Sequence, residues 1–302
     1  MFFSLLLYNK RQIKLGCEPM EFTKVHGLGN DFILLEPEAY GQQDVAALAV
    51  KLCDRHTGVG ADGLLLTASP TTGAADIRMR IINQDGSEAE MCGNGIRCFA
   101  RYVYERGLVL QPTFRIETKG GIMTPYLTLE NGRVTAVRVD MGPVIFDRAR
   151  IPALGSGRCV LAEPLQLEDG SRWTVTSVLM GVPHTVIFLD SLSDELVQNI
   201  GPKVEKNAMF PQGTNVNFVV VHHRGDIEVR TWERGAGATL ACGTGCCAAV
   251  VAACQNGYTD RNVTVHLRLG DLQVAYREDG HVWMTGPAEL VYHGVWETDS
   301  IH

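Results

Sequence analysis

Residues 76–121 and 226–271 read as one passage written twice, 150 positions apart. Asp76-Ile77-Arg78-Met79-Arg80 answers Asp226-Ile227-Glu228-Val229-Arg230, and sixteen residues after each aspartate stands a cysteine. The first copy has Met91-Cys92-Gly93-Asn94-Gly95 there, and the second has Ala241-Cys242-Gly243-Thr244-Gly245. A helix-like run follows each, then a strand ending in Gly120 or Gly270. A duplicated half with one thiol at the same place restricts the chain to two like units. It predicts two thiols facing each other across a cleft, suited to chemistry that needs an acid on one face of a planar carbon and a base on the other.

Composition narrows the function classes. The chain has 302 residues, which fits two units of about 150, a size that buries a core comfortably. It is 45% hydrophobic and 20% charged, with no apolar run near the ~20 residues that span a bilayer. A net charge of −7 without a basic cluster argues against nucleic acid as a partner. Nine cysteines, an odd number with no Cys-x-x-Cys pair, predict reduced thiols rather than a disulfide framework or a metal site. Residues 1–19 lie outside the repeat. Phe2 to Leu7 is too short for a signal segment and its charges follow instead of precede, so Met20 is read as the functional start of a cytoplasmic protein.

Short strand-like runs dominate, broken by Asn131-Gly132 and Asp279-Gly280, which read as hairpin turns. Helices are few: Gly95 to Arg106, Gly245 to Gln255, a run capped by Asp44, and its counterpart capped by Ser193 or Asp194. The run from Gly245 is rich in Ala, Val and Cys nearly all round, as a helix enclosed by strands requires. The expected fold is α+β: two pseudo-symmetric domains, each a mostly antiparallel sheet or barrel curled round a central helix. Residues 20–140, joined by 288–302, make the half carrying Cys92, and residues 141–287 make the half carrying Cys242.

Both Cys-Gly-x-Gly units fall where a loop turns into a helix. The free N–H groups of a first helical turn carry partial positive charge and can grip a carboxylate. By the same reasoning they lower a thiol pKa, which predicts thiolate near neutral pH. Two such ends meeting would hold an amino acid's α-carboxylate with a sulfur on each side of the α-carbon. No lysine is placed for a Schiff base and no dinucleotide-binding motif follows a strand, so cofactor-free proton transfer is the reaction expected. Cys98, Cys246, Cys247 and Cys254 fall in helix interiors and read as structural.

With these residues in hand, the chain resembles the diaminopimelate epimerases. The blocks are His26-Gly27-Leu28-Gly29-Asn30-Asp31-Phe32, Asn83 through Gly95, Gly181-Val182-Pro183-His184, Thr214-Asn215-Val216-Asn217-Phe218, and Glu233-Arg234-Gly235 running into Ala241 through Gly245. The resemblance covers Met20 to about residue 296. It implies a homodimeric, cofactor-free enzyme that interconverts LL- and meso-diaminopimelate for lysine and cell-wall precursors. By position it makes Cys92 and Cys242 the acid/base pair. Gly93, Asn94, Gly243 and Thr244 would hold the reacting carboxylate. It gives Asn30, Asn83, Asn215 and Arg234 the distal end of the substrate, sets Glu233 near the reacting amino group, and puts His184 beside the thiols.

Two departures stand out. The family's Gly-Asn-Pro-His reads Gly-Val-Pro-His, so Val182 removes an amide, and Gly237-Ala238-Thr239 replaces a common Gly-Glu-Thr. Val182 bears on which diamino acid is preferred, not on the thiols. Three other readings compete: a racemase of another amino acid, a thiol redox protein pairing Cys92 with Cys242, and a non-catalytic amino-acid binder.

Overall fold

The computed structural model describes residues 19–297. The expectations for residues 1–18 and for the last five positions lie outside the described residues. In chain order the first half contains β1 (Met20–Gly27), β2 (Asn30–Leu35), a short α1 (Pro37–Tyr40), α2 (Val45–Cys53), β3 (Gly63–Ala68) and β4 (Ile77–Asn83). It continues with β5 (Glu88–Ala89), α3 (Gly93–Glu105), β6 (Ile116–Thr118), β7 (Gly121–Met123), β8 (Tyr126–Glu130) and β9 (Arg133–Pro143). The second contains β10 (Val160–Gln166), β11 (Arg172–Met180), β12 (Val182–Leu189), α4 (Asp194–Glu205), β13 (Asn215–His223) and β14 (Asp226–Glu233). After these come β15 (Gly237–Thr239), α5 (Gly243–Gln255), β16 (Asn262–Leu267), β17 (Gly270–Tyr276), β18 (His281–Gly286) and β19 (Glu289–Trp296).

The duplication is plain in the strand order. One sheet runs β19-β1-β2-β3-β4-β6-β7 and the other begins β10-β11-β12-β13-β14-β16-β17 before continuing through β18, β9 and β8. Each pairing in the first series has the same sense as its counterpart. β2–β3 and β4–β6 are parallel, as are β12–β13 and β14–β16, and the rest of the two series are antiparallel. The strand β19 closes the edge of the first sheet against β1, and the β8–β9 hairpin hydrogen-bonds to β18 while α3 still packs on β9.

The parallel pairs were not legible as such, and the reason is burial on both faces. Leu34 and Leu65 point to the core around α3, whereas Ile33, Leu35, Leu64 and Leu66 point to a second cluster under α2. Such strands read as continuous apolar runs, and the helix that crosses over between them makes the pairing parallel. The second half repeats this, with Val186 and Val219 facing α5, and Ile187 and Phe218 facing the cluster under α4.

Both outer helices start on the expected caps: Asp44 accepts from the Ala46 N–H at 3.0 Å, and Ser193 accepts from the Leu196 N–H at 3.1 Å. The central helices differ from the sequence reading by two residues. They begin at Gly93 and Gly243, which makes the cysteines themselves the N-caps. Helix α5 is buried from Gly245 to Ala253 on every side, which its small Ala, Val and Cys side chains permit with β11 through β14 and β16 through β18 packed round it. Cys98, Cys246 and Cys247 are fully buried fillers. No helix among the described residues is long and apolar enough to cross a membrane.

Candidate active site

The two central helices point their first turns at each other. Cys92 caps α3, and its Sγ accepts from the Gly95 N–H at 3.4 Å while donating to Asn30 Oδ1 at 3.5 Å. The Asn94 side chain, 3% exposed, donates through Nδ2 to Asn30 Oδ1 and to the carbonyl of Ala241, both at 3.1 Å. A single carboxamide from the first helix therefore joins the hydrogen-bond partner of Cys92 to the residue preceding Cys242. Asn94 Oδ1 lies 3.7 Å from the place a Cβ on Gly243 would occupy. A Cβ on Gly93 would meet Met141 and Met284 at 3.0 Å, and one on Gly243 would meet Met284 at 3.2 Å. Glycine is what lets the helix ends approach over those methionines.

The free first-turn N–H groups of Gly93, Asn94, Gly243 and Thr244 have no carbonyl four residues back within their own helices. Together they form two anion-binding ends brought to one place. Around the second thiol, Cys242 Sγ is 3.5 Å from Thr244 Oγ1, and the Glu233 carboxylate accepts from Thr239 Oγ1 at 2.6 Å. Asn215 is buried and its Oδ1 accepts from the Arg234 backbone N–H at 2.8 Å. The Arg234 guanidinium is exposed and donates to the Gln212 carbonyl at 2.7 Å. Asn83 ends β4 opposite Gly63 and donates to Ser87 at 2.9 Å.

Burial corrects one expectation. The sequence predicts lowered thiol pKa values; instead, burial pushes the Cys92 thiol up, against the downward pull of the Gly95 and Asn94 N–H groups and of Arg97. Cys242 is pushed well up, first by burial and then by the Glu233 charge. The cost of desolvating a thiolate outweighs the helix ends. Burial likewise pushes the Glu233 carboxyl up, opposed by its bonds from Thr239 and Cys242. His184 is wholly buried and neutral, its pKa pushed down to about 3 by burial and then by the Arg234 charge. It reaches the second thiol's helix through Asn217, whose Nδ2 is 3.2 Å from His184 Nδ1. A Cβ on Gly245 would stand 2.4 Å from Asn217 Oδ1 and 3.2 Å from Cys242 Sγ.

Asn217 lies in the Thr214–Phe218 block, where the resemblance implies no role for it. Asp62 and Arg55 were missed altogether. Asp62 accepts from Asn30 Nδ2 at 2.7 Å and from the Asp31 N–H at 3.1 Å, and Arg55 ties Asp62 at 2.9 Å to Asp31 at 2.7 Å. The available signal was Gly58-Val59-Gly60-Ala61-Asp62-Gly63, a glycine-rich turn with one acid before a buried strand.

The fold defines a class of two-lobed α+β proteins. A probable proline racemase from Agrobacterium radiobacter K84 shares it at a TM-score of 0.69 and 15% identity, covering 93% of each chain. A phenazine biosynthesis protein of the PhzF family from Bacillus anthracis shares it at 0.66 and 14%, covering 93% of this chain and 100% of that one. The particular family comes from sequence. The diaminopimelate epimerase family model matches residues 22–146 and 176–291. A diaminopimelate epimerase from Pelotomaculum thermopropionicum is 54% identical over 91% of this chain and 98% of its own length. The chain belongs to the diaminopimelate epimerase family.

Proposed function

We propose that this chain is a pyridoxal-independent isomerase that epimerises LL-diaminopimelate to meso-diaminopimelate, supplying lysine and peptidoglycan precursors. Cys92 and Cys242 are its acid/base pair. One sulfur, as thiolate, takes the α-proton; the resulting carbanion, delocalised into the carboxylate, receives a proton from the opposing thiol on the other face. The two sulfurs have then exchanged protonation states, and no proton is gained or lost. The first-turn N–H groups at Gly93, Asn94, Gly243 and Thr244 hold the carboxylate as charge develops. Asn30, Asn83, Asn215 and Arg234 take the distal end, Glu233 takes the reacting amino group, and His184 supports the second helix end. The observation that carries this reading is the Asn94 bridge from Asn30, beside Cys92, to Ala241, beside Cys242.

The reading treats residues 20–140 with 288–302 and residues 141–287 as the two working halves of a cytoplasmic homodimer. Exposed Val291, Tyr292 and Val295 on the edge strand β19 support a second copy there. Substrate choice is tested together with chemistry. Reduced protein in deuterated water with LL-diaminopimelate gives α-deuterated meso product, and Cys92→Ala and Cys242→Ala each abolish it. Turnover confined to a different amino acid would point to the racemase alternative, with Val182 the first residue to examine; epimerisation surviving both changes would discard the thiol pair.

A further inference from the structure

The largest fully buried side chain of the described residues is a cation. Arg97 stands one turn into α3 with 0% exposure. Its Nη1 donates to the Gly93 carbonyl at 3.0 Å and its Nε to the Pro287 carbonyl at 3.1 Å. Nη1 also lies 3.8 Å from the Met284 sulfur, and Nη2 has no hydrogen-bond partner among the described residues. Among the described residues no carboxylate pairs with it. The titratable groups acting on it are the thiols of Cys92 and Cys98 on its own helix and of Cys246 and Cys247 on α5, and Glu233 on β14 acts in turn on Cys92. His26 lies next to Gly27, where a Cβ would be 3.0 Å from Nη2.

A buried guanidinium without an anion is costly, because arginine does not shed its proton at neutral pH and the two carbonyls offer only dipoles. Packing alone does not call for a charge here: a methionine of similar length would fill the space beside Met284 and Gly286 without that cost. The charge is compensated whenever the helix ends carry negative charge, as a thiolate or a bound carboxylate. Its anchor on Gly93 O also fixes the residue that follows Cys92.

We propose that Arg97 is a positioning cation: it acts through Cys92, holding negative charge at the first helix end that would otherwise be left to backbone dipoles alone. The proposal rests on the reading of Cys92 as a reacting thiol, and its test is made without substrate so that the two can fail separately. The rate of Cys92 alkylation by iodoacetamide, followed on the Cys92 peptide by mass spectrometry, is measured against pH for wild type, Arg97→Met, Arg97→Gln and Arg97→Lys, each checked for native circular dichroism. The neutral variants are expected to move the inflection up by about one unit, making alkylation about tenfold slower below it. Arg97→Lys is expected in between, since its shorter ammonium keeps the charge but not both anchors. Should the neutral variants not fold, Arg97→Lys decides alone by its smaller upward shift. An inflection unchanged from wild type in every variant that folds would overturn the proposal, whatever happens to epimerisation. A shifted inflection in a protein that turns over no diaminopimelate would keep Arg97's role and discard the function.

Discussion

The two cysteine-capped helix ends share a backbone and differ in what surrounds them. Helix α3 is amphipathic and carries Arg97 beneath its first turn; α5 is apolar all round and has no charge of its own. Cys92 donates to an amide oxygen, and the Glu233 charge and the opposing Arg97 cation act on it less than its backbone N–H partners do, whereas for Cys242 the Glu233 charge ranks second only to burial. Duplication therefore supplied the same geometric device twice, and divergence of the neighbours made the two thiols unequal. In a proton relay that inequality is useful, since one group must start as base while the other starts as acid.

The largest test removes the comparison altogether. Cys92→Ala or Cys242→Ala is expected to lower kcat for epimerisation by roughly a thousandfold if, as proposed, each sulfur acts in proton transfer; a loss in only one variant would show that a single thiol suffices. A smaller effect sharpens it. Gly245→Ala drives a Cβ to 2.4 Å from Asn217 Oδ1, but Gly95→Ala meets nothing closer than Leu65 at 3.2 Å. Urea unfolding should find the former destabilised by about 2–3 kcal/mol and the latter by less than about 1 kcal/mol; equal costs would erase the asymmetry.

Alkylation gives the third measure. At one pH in the absence of substrate, Cys92 is expected to react before Cys242, by about tenfold for each unit separating their inflections, and Glu233→Gln should narrow that gap by speeding Cys242. Peptide mapping that found Cys242 faster would reverse the order of the two thiols. The smallest effect concerns His184. Its folded pKa, about 3, lies below that of an unfolded histidine at 6.5, so the unfolded state binds the proton first. Stability is then fully present above pH 6.5 and lost as pH falls toward 3. His184→Gln should flatten the fall of Tm between about pH 6 and pH 4; an unchanged slope would mean that His184 is protonated in the fold.

Much of this was legible because repetition is visible without any knowledge of contacts. Matching Cys-Gly-x-Gly units located both central helices and both thiols, and the caps Asp44 and Ser193 located the outer ones. What escaped depends on three-dimensional neighbours. Leu64-Leu65-Leu66 alternates between two cores, which no period-two pattern distinguishes from a simple apolar run. Asp62 acquires meaning only through Asn30, 32 positions away. The direction of the thiol shifts was misjudged because sequence shows the helix end but not the loss of water around it.

One consequence follows from β19 lying against β1. Residues 289–296 follow every other strand of the described fold in the chain, yet they complete the sheet whose other strands come earliest. The nascent first half must wait with an open edge while the whole second half is made, and Arg97 waits with it for the carbonyl of Pro287. Deleting β19 would thus injure the sheet built from the earliest strands of the described fold, not the sheet nearest to it in the chain.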